Sequence, residues 1–130
     1  MANKTFDLLG LIAEDEVVSV TASCTGVEIT GLNLGDASYV VVINNNAPTG
    51  TVDGSNHYDL QVEVSDAVGG TYVALGELVV LPATAGQTQI GFTAAQLERL
   101  TTSADFFRVT ATKVGTTATA VTYTAFVSKI

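Results

Sequence analysis

The nine residues His57-Tyr58-Asp59-Leu60-Gln61-Val62-Glu63-Val64-Ser65 alternate polar and apolar side chains without interruption. A period of two places Tyr58, Leu60, Val62 and Val64 on one face and the polar residues on the other, the signature of a strand with one buried face. Similar signals recur at short intervals along the chain. Val18, Val20, Ala22 and Cys24 alternate with Val17, Ser19, Thr21 and Ser23, and a short strand is expected around 27–30. Segments 71–75 and 77–81 follow the Asp66–Gly70 turn, and 87–92 carries Ile90 and Phe92 on one face. Strands at about 105–113 and 119–128 close the chain. Many short strands separated by Gly, Asn, Asp and Pro predict an all-β, antiparallel β-sandwich of about eight strands, jelly-roll or Ig-like.

Three segments depart from simple alternation. Tyr39-Val40-Val41-Val42-Ile43 is continuously apolar, which predicts a central strand covered on both faces. Thr93–Leu100 is the one helical signal: Thr93 and Gln96 have capping-box spacing, and Leu97 and Leu100 offer an apolar contact on one side. This short helix is expected to cross between sheets. Residues 1–15 lack a period of two and end in Glu14-Asp15-Glu16, so they are read as an N-terminal arm, with a single sandwich domain over 16–130.

The closing strands permit a register argument. Phe107, Val109 and Ala111 share one face, as do Val121, Tyr123, Ala125 and Val127. If the tight Gly115-Thr116-Thr117 turn makes a hairpin with both faces in the core, Ala111 pairs with Val121 and Val109 with Tyr123. Phe106 then stands opposite Phe126 on the outer face; a two-residue slip sets Arg108 there instead. Outward phenylalanines call for a cover, supplied by the helix or arm or by another subunit.

Composition constrains function by what it withholds. The chain has one His, one Cys, no Trp and only five Lys plus Arg against 13 carboxylates, a formal charge of −8. Phosphate recognition needs clustered cations, and Lys4, Arg99, Arg108, Lys113 and Lys129 are scattered, so neither nucleic acid nor an anionic membrane is the expected partner. Cys24 stands alone and is read as a small core residue; His57 lacks the neighbours of a triad or a His-rich metal site. Asn44–Asn46 and Asp53-Gly54-Ser55-Asn56 supply oxygens, yet their spacing is not that of an EF-hand, and turn chemistry explains them. No catalytic, cofactor or metal residues are assigned. The apolar run 8–13 is too short to span a membrane and lacks a signal-peptide cleavage pattern, so export by the general secretory route is not expected.

The text Leu60-Gln61-Val62-Glu63-Val64-Ser65-Asp66…Gly70-Thr71-Tyr72-Val73-Ala74-Leu75, with Phe107-Arg108-Val109-Thr110-Ala111-Thr112 and Val121-Thr122-Tyr123-Thr124-Ala125, resembles the cement or decoration proteins of tailed bacteriophages. The resemblance covers 16–130 in style. It implies a non-enzymatic virion protein on the capsid exterior, made in the host cytoplasm, that binds the major capsid protein and itself as a homodimer or homotrimer. Phe6, Leu8 and Leu9 of the arm, with Phe106 and Phe126, are the candidate interface. Similar hairpins occur in tail and baseplate domains and in bacterial Ig-like modules. The alternative is accordingly a receptor- or glycan-binding module using the Asn44–Asn56 loop.

Overall fold

The structure is a computed structural model and describes residues 10–29, 38–100 and 106–129. Two antiparallel sheets pack face to face. The first has the order β1 (Leu11–Val18), β11 (Ala118–Lys129), β4 (Ser38–Asn45), β9 (Gly86–Thr93), and β5 (Thr49–Gly50) adds to β11. The second runs from β2 (Ala22–Ser23) and β3 (Val27–Glu28) through β10 (Phe106–Val114) and β6 (His57–Ser65) to β7 (Val73–Ala74) and β8 (Val79–Val80). With β2/β3 and β7/β8 each counted as one interrupted strand and β5 as an appendage, this is the eight-strand jelly-roll winding. An all-β sandwich with one short helix is what the strand spacing led us to expect; the winding is what it left open.

The core forms where the two inner faces meet. Leu60, Val62, Val64, Phe107, Val109 and Ala111 of the second sheet are fully buried and pack with Val41, Ile43, Val121, Tyr123 and Ala125 of the first. β4 lies between β11 and β9, and its outer residues Val40 and Val42 are buried with Phe126 in a smaller cluster on the other side of that sheet. This explains its unbroken apolar run. Helix α1 (Ala94–Leu100) leads from β9 in one sheet to β10 in the other, as expected. The Gln96 N–H donates to Thr93 Oγ1 at 3.2 Å and the Thr93 N–H to Gln96 Oε1 at 2.8 Å, a complete capping box. Leu97 is buried, whereas Leu100 is left exposed.

Three expectations change. First, β10 and β11 are not a hairpin. β10 pairs with β6 (Phe107 with Val64, Val109 with Val62, Ala111 with Leu60), while β11 pairs with β1 and β4. Both faces assigned to the core do point into it, but from opposite walls. Second, the alternating run 17–24 is not one strand: β1 ends at Val18 in the first sheet, and β2 begins at Ala22 in the second. The bend between them leaves Val20 exposed.

Third, residues 11–15 belong to β1 rather than to an arm; residues 1–9 lie outside the described residues. Alternation fails there because the pairing with β11 shifts register between Leu11 and Ala13 and again between Ala13 and Glu16. Asp15 sits at φ 45°, and its N–H donates to Thr124 Oγ1 rather than to the ladder. Such bulges leave Ile12 and Ala13 adjacent yet both buried, which hides a strand from period-two analysis.

The sheet-to-sheet turn depends on Gly115 at φ 77°. A side chain there is strained, and its Cβ would run into the Asn56 amide oxygen and the Ser55 carbonyl. Gly115→Ala should therefore lower the unfolding free energy by about 2 kcal/mol. Gly54→Ala, with open space around the new methyl, should stay within about 0.5 kcal/mol of the parent. Urea titrations of the two variants check both.

Candidate functional site

The five residues expected to form an interface are not gathered by the described structure. Phe6, Leu8 and Leu9 lie outside the described residues. Phe126 points to the outer side of the first sheet, as its position in β11 predicts, but it is only 1% exposed and closed in with Val40 and Val42. Phe106 is half-buried on the outer side of the second sheet, beside Ser65 of β6 and Glu28 of β3. The two phenylalanines therefore sit on opposite outer surfaces, not opposite one another, because their strands belong to different sheets. Phe126 is already covered.

The Asn44–Asn56 segment is fastened rather than loose. The Asn46 N–H donates to the Thr122 carbonyl at 3.0 Å, and the Thr122 N–H donates to Asn46 Oδ1 at 2.9 Å, so the side chain continues the β4–β11 ladder past the strand end. Buried Asn45 donates to the carbonyls of Asn46 and Thr84. The Thr49 and Thr119 hydroxyls meet at 2.7 Å, and the Thr117 hydroxyl donates to the Thr51 carbonyl at 2.7 Å. Asn56 Oδ1 accepts from the N–H groups of Thr116 (2.9 Å) and Thr117 (3.2 Å), capping the turn that Gly115 opens.

Asp53 closes its own turn in the same way: its Oδ1 accepts from Asn56 Nδ2 and the Ser55 N–H, both at 2.9 Å. The Asn56 amide first, then the Ser55 N–H, hold this carboxyl below the usual carboxylate range. Oxygens that looked available for a cation are thus engaged in Asx-turn chemistry. Among the described residues no three His, Cys, Asp or Glu side chains cluster as metal ligands.

His57 stands at the start of β6 with Nδ1 3.2 Å from the Asp53 carbonyl and Nε2 3.1 Å from Asp59 Oδ1. It lines an open cleft with Val52, Asp53, Gly54 and the apolar Val80, Leu81 and Pro82. Farther along the same sheet lies a polar cluster that sequence inspection did not assemble. Glu63 Oε1 accepts from Arg108 Nε at 2.8 Å and from the Thr110 hydroxyl at 2.7 Å, and Thr110 meets Ser23 at 2.8 Å. The Arg108 guanidinium lies 3.9 Å over the Tyr72 ring, whose hydroxyl donates to the Val68 carbonyl. Glu63 and Arg108 are cross-strand partners in β6 and β10, a proximity that only the pairing creates. The cluster locks a polar outer surface; its cation and carboxylate already satisfy each other.

Inside, Cys24 packs on the core, donating its backbone N–H to the Val109 carbonyl at 3.0 Å and receiving the Val109 N–H on its sulfur at 3.2 Å. Burial pushes its thiol pKa up, as it does the phenol of Tyr123, far above its ordinary value. The Tyr123 hydroxyl is buried without an aligned hydrogen bond among the described residues. No helix among the described residues is long and apolar enough to cross a membrane. The chain matches no family model and no curated protein sequence.

Two outcomes follow from the buried pair. In the unfolded chain the Tyr123 phenol ionises near pH 10, whereas the folded chain keeps its proton, so stability is complete below about pH 10 and falls above it. Tyr123→Phe should flatten that alkaline loss in urea midpoints measured from neutral pH upward, and at pH 7 it should match or exceed the parent by up to about 1 kcal/mol. Cys24, held as a thiol, should react with a thiol-specific reagent at least ~10-fold more slowly in the folded chain than in urea. A disulfide-exchange assay reads this directly.

Proposed function

We infer that this chain is a non-enzymatic structural protein of a virus particle, a capsid decoration or cement protein that oligomerises and clamps neighbouring capsomers from outside. The observation that carries this reading is how the reactive-looking side chains are used. Asp53, Asn46, Asn56, Glu63 and Arg108 all hold turns or strand pairs in place, and what they produce is a stiff polar surface. A stiff surface binds a repeating lattice without a large ordering cost. The jelly-roll winding supports the same reading by fold-level analogy, because capsid domains use it widely.

The mechanism is multivalent. Each subunit contributes a modest contact, linked subunits raise one another's effective concentration, and a protein that binds only the assembled lattice stabilises it by mass action. Both partners, the major capsid protein and a second copy of this chain, belong to this proposal, as does its place on the capsid exterior.

A second reading, a glycan- or receptor-binding module, is favoured by one observation: the cleft beside Asp53 and His57 joins apolar wall to polar rim at the end of the fastened loop, and lectins share the winding. Quantitative mass spectrometry of purified virus particles separates the two. A copy number equal to the major capsid protein, or a simple fraction of it, is the expected result. A handful of copies per particle moves the protein to the tail. Absence from particles, with glycan-array binding lost on His57→Ala, establishes the second reading instead.

A further inference from the structure

We propose that β9 is a self-association edge, through which two copies of this chain pair antiparallel about a two-fold axis and join their first sheets into one continuous sheet. The argument begins with the edges of the sandwich. Unpaired strand edges invite other strands, and proteins blunt them with short strands, bulges or charge. The second sheet ends in β2 and β3 on one side and β7 and β8 on the other, each only 2 residues long. In the first sheet β1 is bulged and carries Glu14, Asp15 and Glu16. β9 has none of these devices. Its 8 residues, Gly86-Gln87-Thr88-Gln89-Ile90-Gly91-Phe92-Thr93, hold no charge and pair with β4 without a register shift.

The direction of its free backbone groups can be worked out. The Asn46 N–H bonds the Thr122 carbonyl, so even-numbered residues of β4 bond β11 and odd-numbered ones bond β9. Through the β4–β9 register, Gly86, Thr88, Ile90 and Phe92 then bond β4, while Gln87, Gln89, Gly91 and Thr93 face away from it. Thr93 confirms this parity, since its N–H donates to Gln96 Oε1. Among the described residues no hydrogen bond reaches the outward N–H and C=O groups of Gln87, Gln89 and Gly91.

That set is self-complementary. With Gln89 opposite Gln89 of the second copy, Gln87 falls opposite Gly91 on both sides of the axis. All three residues of each chain are then used, making about six main-chain hydrogen bonds. On the outer side the two Gln89 amides meet, each both donor and acceptor, and Gly91 leaves room for Gln87. On the inner side Thr88 faces Ile90 of the other copy, a favourable β-branched pair. The contact also covers Leu78, 51% exposed, which lines an open cleft with Ile90 and Gly76 along this edge. Charge favours a second copy here. With a formal charge of −8 per chain, pairing through β1 would set three carboxylates of each strand against their counterparts, whereas β9 itself carries none and only Glu77 of the neighbouring segment lines the cleft beside it.

This contact supplies the self-association invoked above but rests on strand geometry alone. Sedimentation equilibrium of the full chain should give twice the 13.4 kDa chain mass. Gln89→Lys sets two ammonium groups across the axis and should return the protein to monomer with an unchanged far-UV spectrum, whereas Val17→Lys on β1 should leave the dimer intact. In a Cys24→Ser background, Gln89→Cys should form an intermolecular disulfide, because directly opposed Cα atoms lie about 5.5 Å apart; Val17→Cys should not. A parent chain that stays monomeric and a Gln89→Cys variant that does not cross-link overturn the proposal and leave the edge to a foreign strand. A dimer whose virus particles lack the protein upholds this contact and removes the virion reading. Particles carrying an uncross-linkable monomer do the reverse.

Discussion

At Gly115 the chain adopts a positive φ and leaves the second sheet for the first, and the apolar faces of β10 and β11 arrive on opposite walls of one core. The burial of Phe107, Val109 and Ala111 against Val121, Tyr123 and Ala125 follows from that single change of sheet. So does the rest of the winding: β11 is freed to pair with β1 and β4, and β10 with β6. The turn is held from outside by Asn56, whose amide oxygen takes two of its N–H groups. A glycine for conformation and an asparagine for hydrogen bonding together fix the point on which the topology turns.

The polar residues follow a common logic. A chain with few charges must satisfy its loop backbone by other means, because unpaired buried N–H and C=O groups are costly. Here short amides, hydroxyls and one carboxylate act as surrogate main chain: Asn46 extends a ladder, Thr49 and Thr119 join neighbouring strands, and Asp53 closes its own turn. The loop at that end of the sandwich is consequently part of the framework. Residues that a motif search would nominate as ligands are spent on structure.

The edges are where the fold meets its surroundings. Bulges and carboxylates on β1, and fragmentation of β2, β3, β7 and β8, make three edges poor templates for further pairing. The smooth β9 strand, itself uncharged, is the exception, and Glu77 and Leu78 lie beside it. The distribution of charge along this acidic chain therefore bears on association as well as solubility.

The sequence by itself determined the class of fold, the faces of β6, the two-sided burial of β4 and the capped helix, since each depends on residues a few positions apart. Tyr58 to Val64 declare their face by alternation, and Thr93 with Gln96 declares the helix start by local hydrogen bonding. Which wall each strand occupies was decided only by tertiary structure. An apolar face can be buried beside its neighbour in one sheet or across the core from it, and period two is the same in both cases; this is why Phe106 and Phe126 looked like partners and are not. The bulge at Asp15 concealed β1 for a related reason, because its register is set by Thr124 and other residues of β11 a hundred positions away. The Glu63–Arg108 pair and the open edge of β9 likewise exist only once distant strands have been placed.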